Sequence, residues 1–214
     1  MTPAPDDMAV DLADGISALD LGIDERQRAR LGDYLALLAK WNKTYNLTAI
    51  REPSRMVTHH ALDSLAVIPH LPAHAGMRLL DVGSGGGLPG IPIAIARPDW
   101  RVVMVDPNHK KAAFLTQAAI ELGLPNVASH ASRVEDLHNE SPFDVVISRA
   151  FADLATFAAT SARHVAAHGV LVAMKGVHPA DEIAELGDAF AVETIPVHVP
   201  GLDAARHLVL MRKP

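Results

Sequence analysis

The chain has 214 residues, 49% of them hydrophobic, which is enough for one domain with a substantial core and room for an appendage. Its net charge of −6 argues against a uniformly basic nucleic-acid-binding protein, and the absence of cysteine excludes disulfides, cysteine-ligated zinc and thiolate nucleophiles. No apolar run approaches the roughly 20 residues of a membrane-spanning helix, and the acidic start does not look like a signal peptide, so we expect a cytoplasmic protein without a membrane partner.

The first predicted elements are helical. The polar start shows little periodic pattern, which predicts a flexible tail, or a fraying first helix, over residues 1–22. From Asp24 onwards apolar residues recur at helical spacing, and a second helix is predicted from near Pro53 to about Leu71. We therefore expect residues 23–74 to form an N-terminal helical extension.

A cluster of basic residues lies between these two predicted helices. The segment from Lys40 to Arg55 has four bases opposed only by Glu52, whereas residues 1–33 hold 8 acids and 3 bases, so the acidic excess is local. A basic patch of this kind predicts phosphate contact, although an ordinary solvated surface explains it as well. The predicted RNA-contacting bases of this patch are Lys40, Lys43, Arg51 and Arg55.

From residue 75 the pattern alternates between strands and helices, which predicts a parallel sheet with crossover helices. The predicted strands are 78–82, 101–105, 127–130, 143–148 and 168–174, and the predicted helices are 89–97, 109–122, 151–165 and 179–188. Residues 191–199 and 207–211 then read as two strands with no helix between them, so they are expected to be antiparallel. Over residues 75–214 we thus predict a Rossmann-like, seven-stranded α/β sheet with an antiparallel last strand, as in class I methyltransferases, and not the six parallel strands of a dehydrogenase.

A glycine-rich turn joins the first strand of this sheet to the first helix, and it predicts a loop whose backbone amides approach a ligand. Gly85, Gly87 and Gly90 match the G-x-G-x-x-G of dinucleotide-binding proteins, while Gly83, Gly85 and Gly87 match the G-x-G-x-G of methyltransferases. The pattern alone leaves both ligands open, and a tight turn without a ligand is a third possibility. Asp81 favours a cationic ligand, S-adenosylmethionine, because its charge would repel a pyrophosphate.

Other candidate residues follow the later strands, since ligands of doubly wound sheets lie beyond the carboxyl ends of the strands. Asp106 ends the second strand, where it could accept hydrogen bonds from ribose hydroxyls. After the third strand, Val134 could cover an adenine face and Glu135 could bind its amine, although an acid at a helix N-terminus is the alternative reading. These positions predict an adenosine site.

A cationic rim is predicted at the same edge. Arg149 follows the fourth strand, where amine methyltransferases carry an Asn/Asp-Pro-Pro-aromatic turn that this chain lacks, so amine methylation is disfavoured. A guanidinium stays protonated and cannot be a general base, but it can bind a carboxylate, a phosphate or a base oxygen, or form a structural ion pair. Lys175 ends the fifth strand and Arg206 opens the last one, so the rim suits a phosphate-bearing acceptor.

The twelve histidines do not predict a metal site. Two pairs have the H-x₃-H spacing of some zinc sites, but neither pair has a third ligand in view. These pairs are His70 with His74 and His164 with His168. His59, His60 and Asp63 are interpreted as helix packing and polar support for the mouth of the pocket.

Motifs over nearly the whole chain from about residue 24 resemble the RsmG, or GidB, family of bacterial small-subunit rRNA guanine-N7 methyltransferases. The motifs are WN at 41–42 with YNLT at 45–48, HH at 59–60 with DSL at 63–65, LLDVGSGGGLPGIPIAI at 79–95, FDVVISRAFA at 143–152, MKG at 174–176 and RHLVLMRK at 206–213. The resemblance implies S-adenosylmethionine as cofactor and N7 of a guanosine in the 530 loop of 16S rRNA (position 527) as acceptor, expected within the 30S subunit. It also implies cofactor contacts from Gly83, Leu88, Val134, Glu135 and Arg149, and catalytic or rRNA-contacting roles for Lys175 and Arg206. We therefore predict Arg149, Lys175 and Arg206 as the catalytic residues.

The implied chemistry agrees with the residues at the rim. Guanine N7 carries a lone pair and no proton, so it can attack a sulfonium methyl without a general base, and rate enhancement would come from in-line orientation. Because the product base is cationic, Arg149 is expected to contact the cofactor, the base O6 or a phosphate, and not N7. An NAD-dependent oxidoreductase and a non-catalytic cofactor-binding regulator remain alternatives, and we expect a monomer with no protein partner.

Overall fold

A seven-stranded sheet forms the centre of the computed structural model, which describes residues 5–149 and 151–213. The strands are β1 Arg78–Val82, β2 Arg101–Val105, β3 Val127–His130, β4 Phe143–Ser148, β5 Val165–Lys175, β6 Ala191–Pro196 and β7 His207–Arg212. Their order is β3-β2-β1-β4-β5-β7-β6, with β1 to β5 parallel and β7 antiparallel to both of its neighbours. The predicted sheet and its antiparallel last strand are confirmed.

Helices cover both faces of the sheet. They are α1 Pro5–Leu19, α2 Glu25–Tyr45, α3 Pro53–Met56, a π-helical turn Val57–Leu62, α4 Asp63–Leu65, α5 Gly90–Ala96, α6 His109–Glu121, α7 Leu154–Ser161 and α8 Ala180–Leu186. The N-terminal helices, α5 and α6 share one hydrophobic core with one face of the strands, and α7 and α8 share a second core with the other face. Burial on both faces explains why the central strands read as continuous apolar runs.

The N-terminal residues pack more firmly than their sequence indicated. Residues 5–19, expected to form a flexible tail or a fraying helix, form α1, and its Leu12 and Ile16 side chains are 2% and 3% exposed. Contact with the π-helical turn is close, because a side chain at Gly15 would overlap Leu62. Of the two alternatives, residues 5–19 adopt the helix, and its periodic signal is weak because, among residues 12–19, Leu12 and Ile16 are the apolar side chains buried in the core. The domain boundaries at 22/23 and 74/75 stay predictions.

The second N-terminal helix begins where the sequence predicts. Asp24 caps α2 by accepting a hydrogen bond from the Gln27 amide at 2.8 Å, while the Gln27 side chain accepts from the Asp24 amide at 2.8 Å. This reciprocal capping box satisfies two amides that lack partners inside the helix. The side-chain Nε2 of Gln27 also donates hydrogen bonds to the backbone carbonyls of Ile95 and Ala96, at 2.9 and 3.1 Å. The cap therefore fixes α2 against the end of α5.

Across the described part of the chain, none of the helices combines the length and the apolar character that crossing a membrane requires.

Replacing Ile16 with Ala should lower the free energy of unfolding by about 2–5 kcal/mol, because the deletion leaves a cavity in the core beneath α1. Ile120→Ala is the matched control, since the same side chain is 69% exposed there and the expected change is below about 0.5 kcal/mol. Urea denaturation of both variants measures the difference. Equal, small changes would mean that α1 contributes nothing to the core.

Candidate active site

The glycine-rich loop between β1 and α5 depends on left-handed backbone. Gly83, Gly85 and Gly87 have φ angles of +71°, +56° and +87°, a region that residues with a Cβ rarely adopt. Gly90 is different, because it lies in α5 and a Cβ there would be 2.8 Å from Asp81 Oδ2 and 2.9 Å from Met104 Sδ. The three glycines that need positive φ are thus those of the G-x-G-x-G pattern, and Gly90 is required for packing.

Two carboxylates hold the loop from below. Asp81 is fully buried, and its Oδ2 accepts a hydrogen bond from the Gly90 amide at 2.9 Å. Asp106 accepts from the Gly85 amide through Oδ2 and from the Asn108 amide through Oδ1, both at 2.9 Å. Burial raises the pKa of Asp81 to about 7, so its charge is weaker at neutral pH than the sequence argument for a cationic ligand assumed. Its structural role is to join the loop to α5.

Helix α2 holds the same loop from above. The Tyr34 hydroxyl, which is fully buried, donates a 2.6 Å hydrogen bond to the Gly86 carbonyl. A Cβ at Gly86 would lie 2.9 Å from Leu38 Cδ1, so this helix and the loop are in direct contact. The sequence analysis placed Tyr34 in an apolar stripe without a role. A buried tyrosine needs a partner for its hydroxyl, and that requirement was the available signal.

A cavity of about 200 Å³ opens beside the loop, and it brings together three of the predicted cofactor-binding residues, Gly83, Val134 and Glu135. A Cβ built on Gly83 meets nothing within 4 Å, so the glycine leaves its side of the cavity open. Val134 begins a 3₁₀ turn after β3, and its carbonyl lies 2.9 Å from Nε2 of the buried His164. The remaining lining residues are Val82, Val105, Pro107, Ser132, Arg133, Phe151, Thr156 and Thr160.

The other predicted cofactor-binding residues are placed differently. Leu88 is 4% exposed and its side chain packs in the core, so it can meet a ligand only through its backbone. Gly85 and Gly87 shape the loop, and the Asp81 and Asp106 carboxylates support it from beneath. Arg149 does not line the 200 Å³ cavity. The direct roles of these residues toward a cofactor stay predictions.

A second cavity, of about 340 Å³, contains the three residues predicted to be catalytic, Arg149, Lys175 and Arg206. They come from the end of β4, the end of β5 and the residue before β7, and pairing of Lys175 with His207 brings the last two side by side. The other lining residues are Ile50, His59, His60, Asp63, Met174 and Gly176. The sheet topology thus gathers one cationic site from distant parts of the chain.

Carboxylates pair with all three cations. Asp63 accepts a hydrogen bond from Arg206 Nε at 2.8 Å through Oδ1, and its Oδ2 lies 3.4 Å from Arg149 Nη1. Lys175 Nζ lies 2.8 and 3.0 Å from the two carboxylate oxygens of Glu182, which also accepts from the Leu154 amide at 2.8 Å. Asp63 was expected to give polar support here. Glu182 was missed because no local pattern marks it.

One residue of the basic patch, Arg51, directly follows a residue that lines this second cavity. Lys40 and Lys43 are exposed on the last turns of α2, and Arg51 is exposed in the loop that continues from Ile50 of the cavity wall. Arg51 donates to Asn46 Oδ1 at 3.0 Å, and Arg55 lies 4.0 Å from the Glu52 carboxylate. The exposed ring of Tyr45 lies 5.2 Å from Trp41 on the same segment. RNA contact by the patch stays a prediction.

The histidines form no metal cluster in residues 5–149 and 151–213, where no three His, Asp or Glu side chains could hold an ion together. His164 is buried, and its Nδ1 lies 2.7 Å from Asn139 Oδ1.

The fold and the site together define a class I S-adenosylmethionine-dependent methyltransferase: seven strands in this order, three left-handed glycines after β1, and an acid at the end of β2. The family model of rRNA small subunit methyltransferase G (GidB) matches residues 27–209, and the chain belongs to this family. A relative with that name from Nitrosospira multiformis is 54% identical over 96% of this chain and 97% of its own. The corresponding protein of Chromobacterium violaceum is 55% identical over 94% and 96%.

A solved structure agrees with the fold. The N-methyltransferase NodS from Bradyrhizobium japonicum, in complex with S-adenosyl-L-homocysteine, matches with a TM-score of 0.56 and covers 83% of this chain and 98% of its own. Its sequence identity of 15% supports the architecture alone. The residues of the present chain fit the methyl donor, because the glycine face is open and the neighbouring Val134 and Phe151 offer an apolar wall for an adenine. S-adenosylmethionine is the cofactor of this class.

Removing the Tyr34 hydroxyl should weaken cofactor binding. Tyr34→Phe leaves the buried Gly86 carbonyl without its donor, which costs about 1–3 kcal/mol and loosens the loop that faces the cofactor. We expect the dissociation constant of S-adenosylmethionine, measured by calorimetry, to rise about fivefold or more. Tyr45→Phe removes a hydroxyl from an exposed ring and serves as control. Identical affinities in the two variants would contradict a role of Tyr34 in the loop.

Proposed function

We propose that this protein methylates N7 of a guanosine in the 530 loop of 16S rRNA, with S-adenosylmethionine as the methyl donor. Family membership supports rRNA as the substrate. The 340 Å³ cavity, which we call the acceptor cavity, carries the choice of N7 as the methylated atom. Its buried groups that could take a proton are already engaged in hydrogen bonds or ion pairs. The oxidoreductase alternative has no support from the family or from the positions of the left-handed glycines.

Asp63 and His60 are the buried candidates for a general base, and both are already engaged, whereas His59 on the same wall is only half-buried. Asp63 holds two guanidinium groups. The His60 ring contacts the Thr48 hydroxyl through Nε2 at 2.8 Å and the His59 carbonyl through Nδ1 at 2.9 Å. Burial, and then the charge of Arg149, lower the pKa of His60 to about 4. An acceptor that needs no deprotonation suits this cavity, and guanine N7 is such an acceptor.

When bound, S-adenosylmethionine supplies an electrophilic methyl group on a sulfonium. The loop residues hold the donor side rigid, because the amides of Gly85 and Gly90 and the carbonyl of Gly86 are each tied to a buried side chain. Arg149 and Arg206 present guanidinium donors that can bind the base O6 or a phosphate and so orient N7. Rate enhancement would then come from orientation, not from proton transfer.

The ion pairs of the cavity also suit a cationic product. Arg149, Lys175 and Arg206 would repel N7-methylguanosine if they were unpaired, because methylation places a positive charge on the base. Asp63 and Glu182 leave the group with one net positive formal charge. That charge is enough to attract a nucleotide phosphate without opposing the product strongly.

The decisive experiment is methyl transfer to 30S subunits that lack this modification, with protein-free 16S rRNA as a parallel substrate. We expect transfer to a guanosine of the 530 loop, with the assembled subunit as the better acceptor and the protein acting as a monomer in the cytoplasm. Mass mapping of 16S rRNA from cells lacking the protein locates the modified base. Unchanged guanosine methylation in the 530 loop of such cells would overturn the proposal, and cofactor binding without transfer would indicate a regulator.

Arg149→Lys should reduce kcat/KM for the 30S subunit by at least about tenfold, because an ammonium keeps the charge but loses the planar set of donors. Arg212→Lys is the control, since this exposed arginine pairs with Glu193 at the opposite end of β7. Initial rates of methyl transfer provide the measurement. Full activity of Arg149→Lys would remove this residue from the site.

Reversing charges in the basic patch should weaken rRNA binding without affecting the cofactor. The double variant Lys40→Glu and Lys43→Glu is expected to lower affinity and to reduce the slope of log affinity against log salt by about one per lost phosphate contact. The control Lys213→Glu reverses one exposed charge beyond β7, at the far end of the sheet, so it corrects for a charge reversal outside the patch. Binding of 16S rRNA to the wild type, the double variant and Lys213→Glu at several salt concentrations tests this. Equal slopes for the three proteins would exclude phosphate contact by the patch.

A further inference from the structure

The π-helical turn Val57–Leu62 breaks the regular bonding of the N-terminal helix beside the acceptor cavity. In an α-helix the amide of residue 63 would bond to the carbonyl of residue 59. Here the Asp63 amide donates to the Thr58 and His60 carbonyls instead. The His59 carbonyl instead accepts a 2.8 Å hydrogen bond from Nη1 of Arg149. The turn thus supplies a backbone acceptor for a side chain from β4, in keeping with the frequent occurrence of π-helical turns at functional sites.

Asp63 directly follows this turn, and its carboxylate is the second part of the arrangement. Its side chain is 5% exposed, whereas those of Arg149 and Arg206 are each 23% exposed. Each carboxylate oxygen contacts a different arginine, one from the end of β4 and one from the residue before β7. A buried carboxylate that two guanidinium groups share limits the orientations of both.

We infer that Asp63 is the positioning residue of the acceptor site, holding Arg149 and Arg206 in the geometry that binds the target nucleotide. This inference rests on the proposed function. Asp63 would act through the two arginines without touching the methyl donor, because it lines the cavity that contains them and not the cavity beside Gly83. Replacing Asp63 should therefore impair methyl transfer to the RNA and leave the binding of S-adenosylmethionine unchanged.

The first test replaces Asp63 with Asn, which keeps the shape and removes the charge. We expect kcat/KM for the 30S subunit to fall at least about thirtyfold, because two half-buried guanidinium groups lose their counter-charge. The dissociation constant of S-adenosylmethionine should change by less than about threefold, since the loop contacts are untouched. Asp203→Asn is the matched control, as an exposed aspartate between β6 and β7. Equal kcat/KM for Asp63→Asn and Asp203→Asn would overturn the inference.

The second test separates positioning from general stability. Asp63→Asn is combined with Arg206→Gln, and we expect the double variant to lose less than the product of the two single losses, because both changes break one contact. Asp63→Glu keeps the charge and should retain more activity than Asp63→Asn. Multiplicative losses, or equal losses in the Glu and Asn variants, would contradict positioning even if Asp63→Asn folds poorly. Failure of the wild-type protein to methylate 30S subunits would instead overturn the proposed function.

Discussion

The left-handed conformation of the glycine loop is the constraint on which the rest of the site depends. Three glycines with positive φ lie within five residues, and because glycine backbone is conformationally free, the turn would not keep one conformation by itself. The structure compensates with three buried side chains that bond to the loop backbone, namely Tyr34, Asp81 and Asp106. Each comes from a different element, so the loop has its shape only when α2, β1 and β2 are packed together.

Packing of the N-terminal helices is therefore part of the site and not an addition to it. Helix α2 reaches the donor side through the Tyr34 hydroxyl, and the π-helical turn reaches the acceptor side through the His59 carbonyl. The same helices share their hydrophobic core with the sheet. A displacement of the N-terminal helices would change both cavities, because these helices line the 340 Å³ cavity and bond to the loop beside the 200 Å³ cavity.

Local patterns in the sequence were sufficient for the strands, the main helices and the rim of the sheet. Alternation and turn residues predicted all seven strands, and the rule that ligands lie beyond strand ends selected Asp106, Val134, Arg149 and Lys175. What could not be predicted was pairing between distant residues. Glu182 reaches Lys175 from α8, and Asp63 reaches two arginines that enter the site from β4 and β7. The hydrogen bond from Gly90 to Asp81 could not be predicted for a similar reason, since it depends on the packing of α5 over the loop.

Electrostatic balance explains why paired charges suit this site better than free ones. Unpaired cations would bind a phosphate more strongly, but they would also oppose the positive charge that N7 methylation creates. A carboxylate free of partners would stabilise that charge, but it would repel the phosphates of the incoming RNA. Because Asp63 pairs with two arginines, it orients both guanidinium groups and lowers the net positive charge of the cavity. In the proposed function such a site attracts a nucleotide, orients its base and releases a cationic product, and none of these steps requires proton transfer.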